Sequence, residues 1–132
     1  CGPEDAPIWV ITLLAMSEVM RAERALGCLP IDVSAMNFGW DIESIDPAKG
    51  TRRFIEVKGR AAGAETVTIT CNEVMAALNE PARWRLALVE VEAGFAREPR
   101  YVRGFPFREP GPGEAAVTIK LAELLAWAER RA

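Results

Sequence analysis

The run Trp84-Arg-Leu-Ala-Leu-Val-Glu-Val91 carries too little polarity to leave either of its faces in water. A strand of this kind sits in the middle of a sheet with cover on both sides, so the chain must also supply helices to lie on those sides. From Ile8 to about Leu29 the pattern is helical: Met16, Val19, Met20, Glu23 and Leu26 follow the spacing of one helix face, and Gly27 and Pro30 provide the stop. Leu121, Leu124, Leu125 and Ala128 mark a closing amphipathic helix. With 132 residues, 50% of them hydrophobic, the chain has the size of one domain with a real core. It has no apolar run near the roughly 18 to 20 residues that cross a membrane.

Between these helices the sequence predicts strands. Phe38 to Ile45 alternates well enough for one, a turn follows at Asp46-Pro-Ala-Lys-Gly50, and residues 52–58 form the second arm of a hairpin that Gly59 ends. Thr66-Val-Thr-Ile-Thr70 reads as a third strand, and Asn72 is placed to cap a helix running to Asn79, ahead of Pro81. Residues 84–91 make the central strand, 100–107 a short fifth one, and the Pro and Gly of 110–113 a loop. The order is αβββαβ followed by βα, an α/β domain with a mixed central sheet flanked by helices. No repeat or linker divides it.

Composition narrows the chemistry. The chain has no histidine, which removes the commonest general base and the usual transition-metal ligand. Cys1, Cys28 and Cys71 are odd in number and lack C-x-x-C spacing, so neither a disulfide framework nor structural zinc is indicated, and a reducing intracellular setting is expected. Cys28 and Cys71 read as packed thiols. A start of Cys-Gly-Pro in place of Met leads to the expectation of a module excised from a longer protein. The net charge of −3 does not favour nucleic acid, but its distribution does. Lys49, Arg52, Arg53, Lys58 and Arg60 form a local basic patch with Glu56 as the sole acid among them. Arg97, Arg100, Arg103 and Arg108 lie near Tyr101, Phe105 and Phe107, a stretch suited either to phosphate contact with stacking or to a solvated, ion-paired loop.

Side chains alternate across a strand, so Phe54, Glu56 and Lys58 share one face and Ile55 and Val57 the other. On the preceding strand Asp41 and Glu43 fall together opposite Trp40 and Ile42, and hairpin pairing brings Asp41 beside Glu56. Two carboxylates so close repel unless a cation lies between them, and oxygen donors of this kind suit Mg²⁺ or Mn²⁺. Lys58 beside such an ion can orient or help deprotonate water, work that histidine does not do here. The alternative is a cross-strand ion-pair network of Asp41 and Glu56 with Arg53, Lys58 or Arg60. Glu23, a carboxylate on an apolar helix stripe, needs either an arginine such as Arg21 or Arg24, or a metal or hydrogen-bond donors. Glu43 either joins the site or ends the strand in solvent. Asn72 and Glu73 read first as helix-capping residues and second as substrate contacts. Trp40, Trp84 and Trp127 read as core or core-edge residues.

Asp41 followed fifteen positions later by Glu56-Val57-Lys58 resembles the active-site motif of the PD-(D/E)XK nuclease superfamily, whose core is αβββαβ; Trp40 stands where the motif has proline. More of the text is similar to the NO VEIN C-terminal-like domain family: Val19-Met-Arg-Ala-Glu-Arg-Ala-Leu-Gly27, Gly39-Trp-Asp-Ile-Glu-Ser44, Arg53-Phe-Ile-Glu-Val-Lys-Gly-Arg60, Thr70-Cys-Asn-Glu73 and Arg83-Trp-Arg-Leu-Ala-Leu-Val89. The resemblance spans about residues 16 to 128, which implies a restriction-endonuclease-like domain over 16–132, after residues 1–15 as a lead segment and the start of the first helix. It further implies that Asp41, Glu56 and the Val57 carbonyl hold Mg²⁺ or Mn²⁺, that Lys58 activates water, and that Glu23 contacts a metal water. Arg52, Arg53 and Arg60 are expected to hold flanking phosphates, with DNA preferred over RNA. The family implies a helicase or ATPase region on the same polypeptide, and a homodimer would suit an enzyme that cuts both strands. The expected activity is Mg²⁺-dependent phosphodiester hydrolysis; its rivals are a noncatalytic nucleic-acid-binding module and a protein-interaction module.

Overall fold

The computed structural model describes residues 6–130; Cys1 and the start of the lead segment lie outside them. Over the described residues the chain is a mixed α/β domain of three α-helices, a mixed six-stranded sheet and a two-stranded ribbon. Helix α1 (Ile8–Ala25) leads into β1 (Leu29–Asp32), β2 (Ile42–Asp46) and β3 (Thr51–Ala61). Then come β4 (Thr66–Thr70), α2 (Cys71–Asn79), β5 (Trp84–Glu92), β6 (Phe95–Ala96), β7 (Arg100–Val102), β8 (Ala116–Lys120) and α3 (Leu121–Arg130). Among the described residues no helix is long and apolar enough to cross a membrane.

The main sheet runs β1-β2-β3-β5-β6, with β7 also on β5. β1, β2 and β3 form an antiparallel meander, and β3 pairs with β5 in parallel from Phe54↔Trp84 to Ala61↔Val91. The apolar β5 is covered on both sides, as its composition demands. Trp84, Leu86 and Leu88 join one core with Val67, Ile69, Val74, Val117 and Leu124, while Ala87, Val89 and Val91 join another with Ile11, Ala15 and Val19 of α1. The molecule therefore layers α1, the sheet, and a third layer holding α2, α3 and the β4-β8 ribbon.

Several boundaries differ from the sequence expectation, each for a local reason. The buried stripe of α1 is Ile11, Ala15, Val19 and Glu23. The helix ends at Ala25, where Gly27 (φ 86°) lets the Gly27 and Cys28 N–H groups close on the Arg24 and Glu23 carbonyls. Leu26 is left exposed outside the helix. Leu29–Asp32, expected as part of the helix end and a loop, is an edge strand, a position that tolerates Pro30. β4 is not a third strand of the main sheet: it pairs with β8, which the sequence pattern did not reveal. The expected strand over 100–107 stops at Val102; Phe107 turns into the core, and Phe105 packs against Trp127 with ring centroids 5.5 Å apart. The cap of α2 is Thr70, not Asn72. Thr70 Oγ1 accepts from the Glu73 N–H and the Glu73 carboxylate accepts from the Thr70 N–H, a reciprocal capping box.

Two glycines set the geometry on which the site rests. Gly39 (φ 95°) lies so close to α2 that a Cβ would come 2.7 Å from that of Ala76, and its carbonyl accepts from the Trp84 indole at 2.9 Å. This contact holds residues 38–41 off the regular ladder, so β2 starts at Ile42 and not at Phe38. Gly59 does not end β3; the strand continues to Ala61, and the missing side chain admits α1, since a Cβ there would sit 2.8 Å from the Ala15 Cβ and 3.0 Å from the Ile11 carbonyl. Gly59→Val is expected to destabilise the domain by about 1–3 kcal/mol through overpacking against α1, measurable as a lower urea midpoint with an unchanged slope.

Candidate functional site

Regular pairing between β2 and β3 stops at Ile42↔Ile55. Just beyond, the Asp41 N–H donates to the Ile55 carbonyl at 2.8 Å, and the Asp41 carboxylate accepts the Val57 N–H at 2.9 Å. A side-chain oxygen thus takes the place of the next ladder carbonyl. In a strand the N–H and C=O of one residue face the same edge, so the Val57 carbonyl faces the side on which Asp41 lies. Glu56, 4% exposed, stands next to Asp41 on the strand face shared with Lys58. The Lys58 ammonium lies 3.4 Å from Glu56 and 2.9 Å from Glu73. Glu73 is the residue whose role here was not anticipated. Its capping-box pattern was legible, but the lysine contact depends on how α2 packs against the sheet.

Two carboxyl groups, Glu56 and Glu73, thus contact one ammonium, and a third, Asp41, stands beside Glu56. Burial pushes Glu56 up to about 10, assisted by the charges of Asp41 and Glu73 and opposed by Lys58. Burial also raises Asp41, against the pull of the Val57 hydrogen bond. For Lys58, burial works to lower the value, but Glu56 and Glu73 outweigh it and hold the ammonium charged. Burial would raise Glu73, yet Lys58 and the Thr70 N–H keep it below the usual carboxylate range. Among the described residues no three His, Cys, Asp or Glu side chains form a ready metal cage. The donors that fit a hard cation are two carboxylates, each held above its ordinary range, and one main-chain carbonyl; such an ion completes its shell with water. A cleft of about 370 Å³ opens on these groups, bounded also by Thr12, Arg60 and Thr68.

Other expected site residues lie elsewhere. Glu23 is fully buried at the far end of α1, where its Oε2 accepts from Arg53 at 2.9 Å and from the Tyr101 hydroxyl at 2.7 Å. Arg53 projects from the Ile55–Val57 side of β3, three residues or roughly 10 Å before Glu56. Glu23 therefore does not join the Asp41–Glu56 pair; nor are Arg21 or Arg24 its partner, since Arg21 pairs with Glu18 and Arg24 is exposed. The three arginines expected to hold phosphates are also divided. Arg60 borders the carboxylate cleft, whereas Arg52 and Arg53 line a different cleft, roughly 23–26 Å from Arg60 along β3 and about 10–13 Å before Glu56. Arg52 pairs with Glu43, which also accepts from the Trp40 indole, so Glu43 is tied outside the acidic cluster. Trp40 does not oppose Glu43 but shares its side, stacked on Phe54 at 4.2 Å. In the second Arg-rich stretch, Arg97 pairs with Glu90 and Glu92 and Arg108 with Glu114, while Tyr101 bonds Glu23. Asn72 donates to the Asn37 carbonyl, and Cys28 and Cys71 are free thiols.

An α/β domain with an Asp–Glu–Lys cluster at the edge of its central hairpin is the class that fold and site define. The model of the family described as Protein NO VEIN, C-terminal matches residues 11–102, and the chain belongs to that family. The match takes in every residue of the cluster and stops before β8 and α3. No curated protein matches the chain.

Two outcomes are expected. Without divalent cations, native Glu56 keeps its proton while the unfolded chain releases it above about 4.5, so stability falls as pH rises from there towards 10. Glu56→Gln flattens that fall in melting curves recorded from about pH 5.5 to 8.5. Glu23→Ala strands Arg53 in a mostly buried setting and costs about 3–5 kcal/mol in urea unfolding, with Glu23→Gln costing less.

Proposed function

We propose that this domain is a divalent-metal-dependent nuclease-like module of the PD-(D/E)XK kind, acting on DNA phosphodiesters as part of a longer protein with a helicase or ATPase region. The observation that carries this reading is the Asp41 carboxylate on the Val57 N–H with Glu56 and Lys58 beside it. The order α1, β1, β2, β3, α2, β5 supports the restriction-endonuclease-like αβββαβ core, with β4 as an insertion before α2 and the meander strands differing from those expected.

Asp41, Glu56 and the Val57 carbonyl would hold Mg²⁺ or Mn²⁺, which supplies Lewis acidity towards the scissile phosphate and the attacking water. Lys58, held in its charged form, works as a hydrogen-bond donor that orients water and counters charge on the phosphate, not as a base. Glu73 positions Lys58 and is itself fixed by the first turn of α2. Arg60 at the rim is placed to meet a neighbouring phosphate. The reading as a noncatalytic nucleic-acid-binding module draws on the two ion pairs that already engage Lys58.

Assays with Mg²⁺ or Mn²⁺ on single-stranded, duplex and branched DNA are expected to show cleavage that Glu56→Ala and Lys58→Ala each reduce by about 10²–10⁴-fold. A wild type as inert as both variants, yet still bound to DNA, overturns catalysis in favour of the binding module.

A further inference from the structure

A second cleft, of about 700 Å³, lies at the opposite end of β3, where the β2–β3 turn meets the start of β5. Five basic side chains line it, Lys49, Arg52, Arg53, Arg83 and Arg85, against one acidic side chain, Asp46. The last two arginines come from a segment some thirty positions away in sequence, so parallel pairing of β3 with β5 is what assembles the group.

The charges there are only partly answered. Arg52 and Arg53 have Glu43 and Glu23, and exposed Arg83 reaches Glu80 at no less than 3.9 Å. Among the described residues Lys49 and Arg85 have no carboxylate within ion-pair distance. Asp46 accepts from the Ala48 and Lys49 N–H groups of the turn through its Oδ1, and its single charge answers at most one of the five cations. Arg85 is half-buried; burial first, then the charges of Arg53 and Arg103, push it down to about 10. The arginines are also pre-oriented. Arg53 is held by Glu23 and lies 5.3 Å over the Tyr101 ring, Arg83 lies 5.9 Å from the Phe54 ring, and Arg85 donates to the Arg83 carbonyl at 3.0 Å. Cations fixed before binding lose little freedom when an anion arrives, and guanidinium forks match phosphate oxygens in pairs.

We infer that this cleft is a second anion site that takes a nucleic-acid phosphate, with Arg85, Arg83, Arg53 and Lys49 as its contacts, separate from the Asp41–Glu56–Lys58 cluster. Its choice of phosphate follows from the cleft, and the assignment of that phosphate to nucleic acid rests on the proposed function.

The test is binding of labelled oligonucleotide in EDTA, followed by anisotropy across a salt titration, so that no cleavage contributes. Arg85→Gln is expected to weaken binding by roughly tenfold and to lower the log–log salt slope by about one. Lys49→Gln combined with Arg83→Gln, both exposed positions, lowers it by about two and decides the matter if the Arg85 variant does not fold. A loss confined to oligonucleotides with a 5′-phosphate assigns a terminal phosphate to the cleft; an equal loss with 5′-hydroxyl ends assigns an internal one. Unchanged affinity and slope in the folded variants, or no binding by the wild type, overturns the site. Cleavage with Mg²⁺ is scored separately: an inert wild type with an intact variant effect on binding overturns the nuclease reading alone. Cleavage with no such effect overturns the cleft alone.

Discussion

The hydrogen bond from the Val57 N–H to the Asp41 carboxylate is the interaction on which the site depends. It forms where β2 can no longer follow β3, because Gly39 is drawn onto α2 and the Trp84 indole. A main-chain donor at the edge of a sheet needs an acceptor, and a carboxylate supplies one at the cost of bringing negative charge beside buried Glu56. The chemistry of the cluster follows from that placement: excess acid, a lysine kept charged, and a carboxyl group that holds its proton when no cation is present.

β3 carries a different solution on each side. Towards α2, Glu56 and Lys58 meet Glu73, and acid exceeds base. Towards α1, Glu23 meets Arg53 and the Tyr101 hydroxyl, and with Arg85 nearby base exceeds acid. One strand with a period of two thus puts Glu56 and Lys58 on one side of the sheet and Arg53 on the other, and its length sets the basic cleft at one end apart from the carboxylate cleft at the other. The separation limits mutual neutralisation, which at close range would leave neither group free to act on a ligand.

Much of this was legible from residue order. The apolar run over 84–91 required cover on both sides and has it, and the alternation of residues 54–58 correctly assigned Glu56 and Lys58 to one side and Ile55 and Val57 to the other. The inward register of Glu23 was visible in the helix period, and the residue is indeed fully buried. Its partners were not visible, because Arg53 and Tyr101 lie thirty and seventy-eight positions away, and helix periodicity reports which side is buried but not what waits there. β1 and β8 escaped notice because Pro30 and a Gly/Pro-rich approach mask short strands whose pairing is non-local.

Local pattern alone thus established an α/β chain, its central strand, and an acidic pair followed by a lysine on the hairpin, since periodicity and charge spacing are properties of neighbours along the chain. Packing assigned the rest: Glu73 to the lysine, Glu23 to an arginine and a tyrosine, and Arg83 and Arg85 to a common cleft with Arg53. These pairings join elements far apart in sequence. They arise only when burial of both sides of β5 brings α1, α2 and β3 to fixed distances, because charges in such places must find partners across the core and not along the chain.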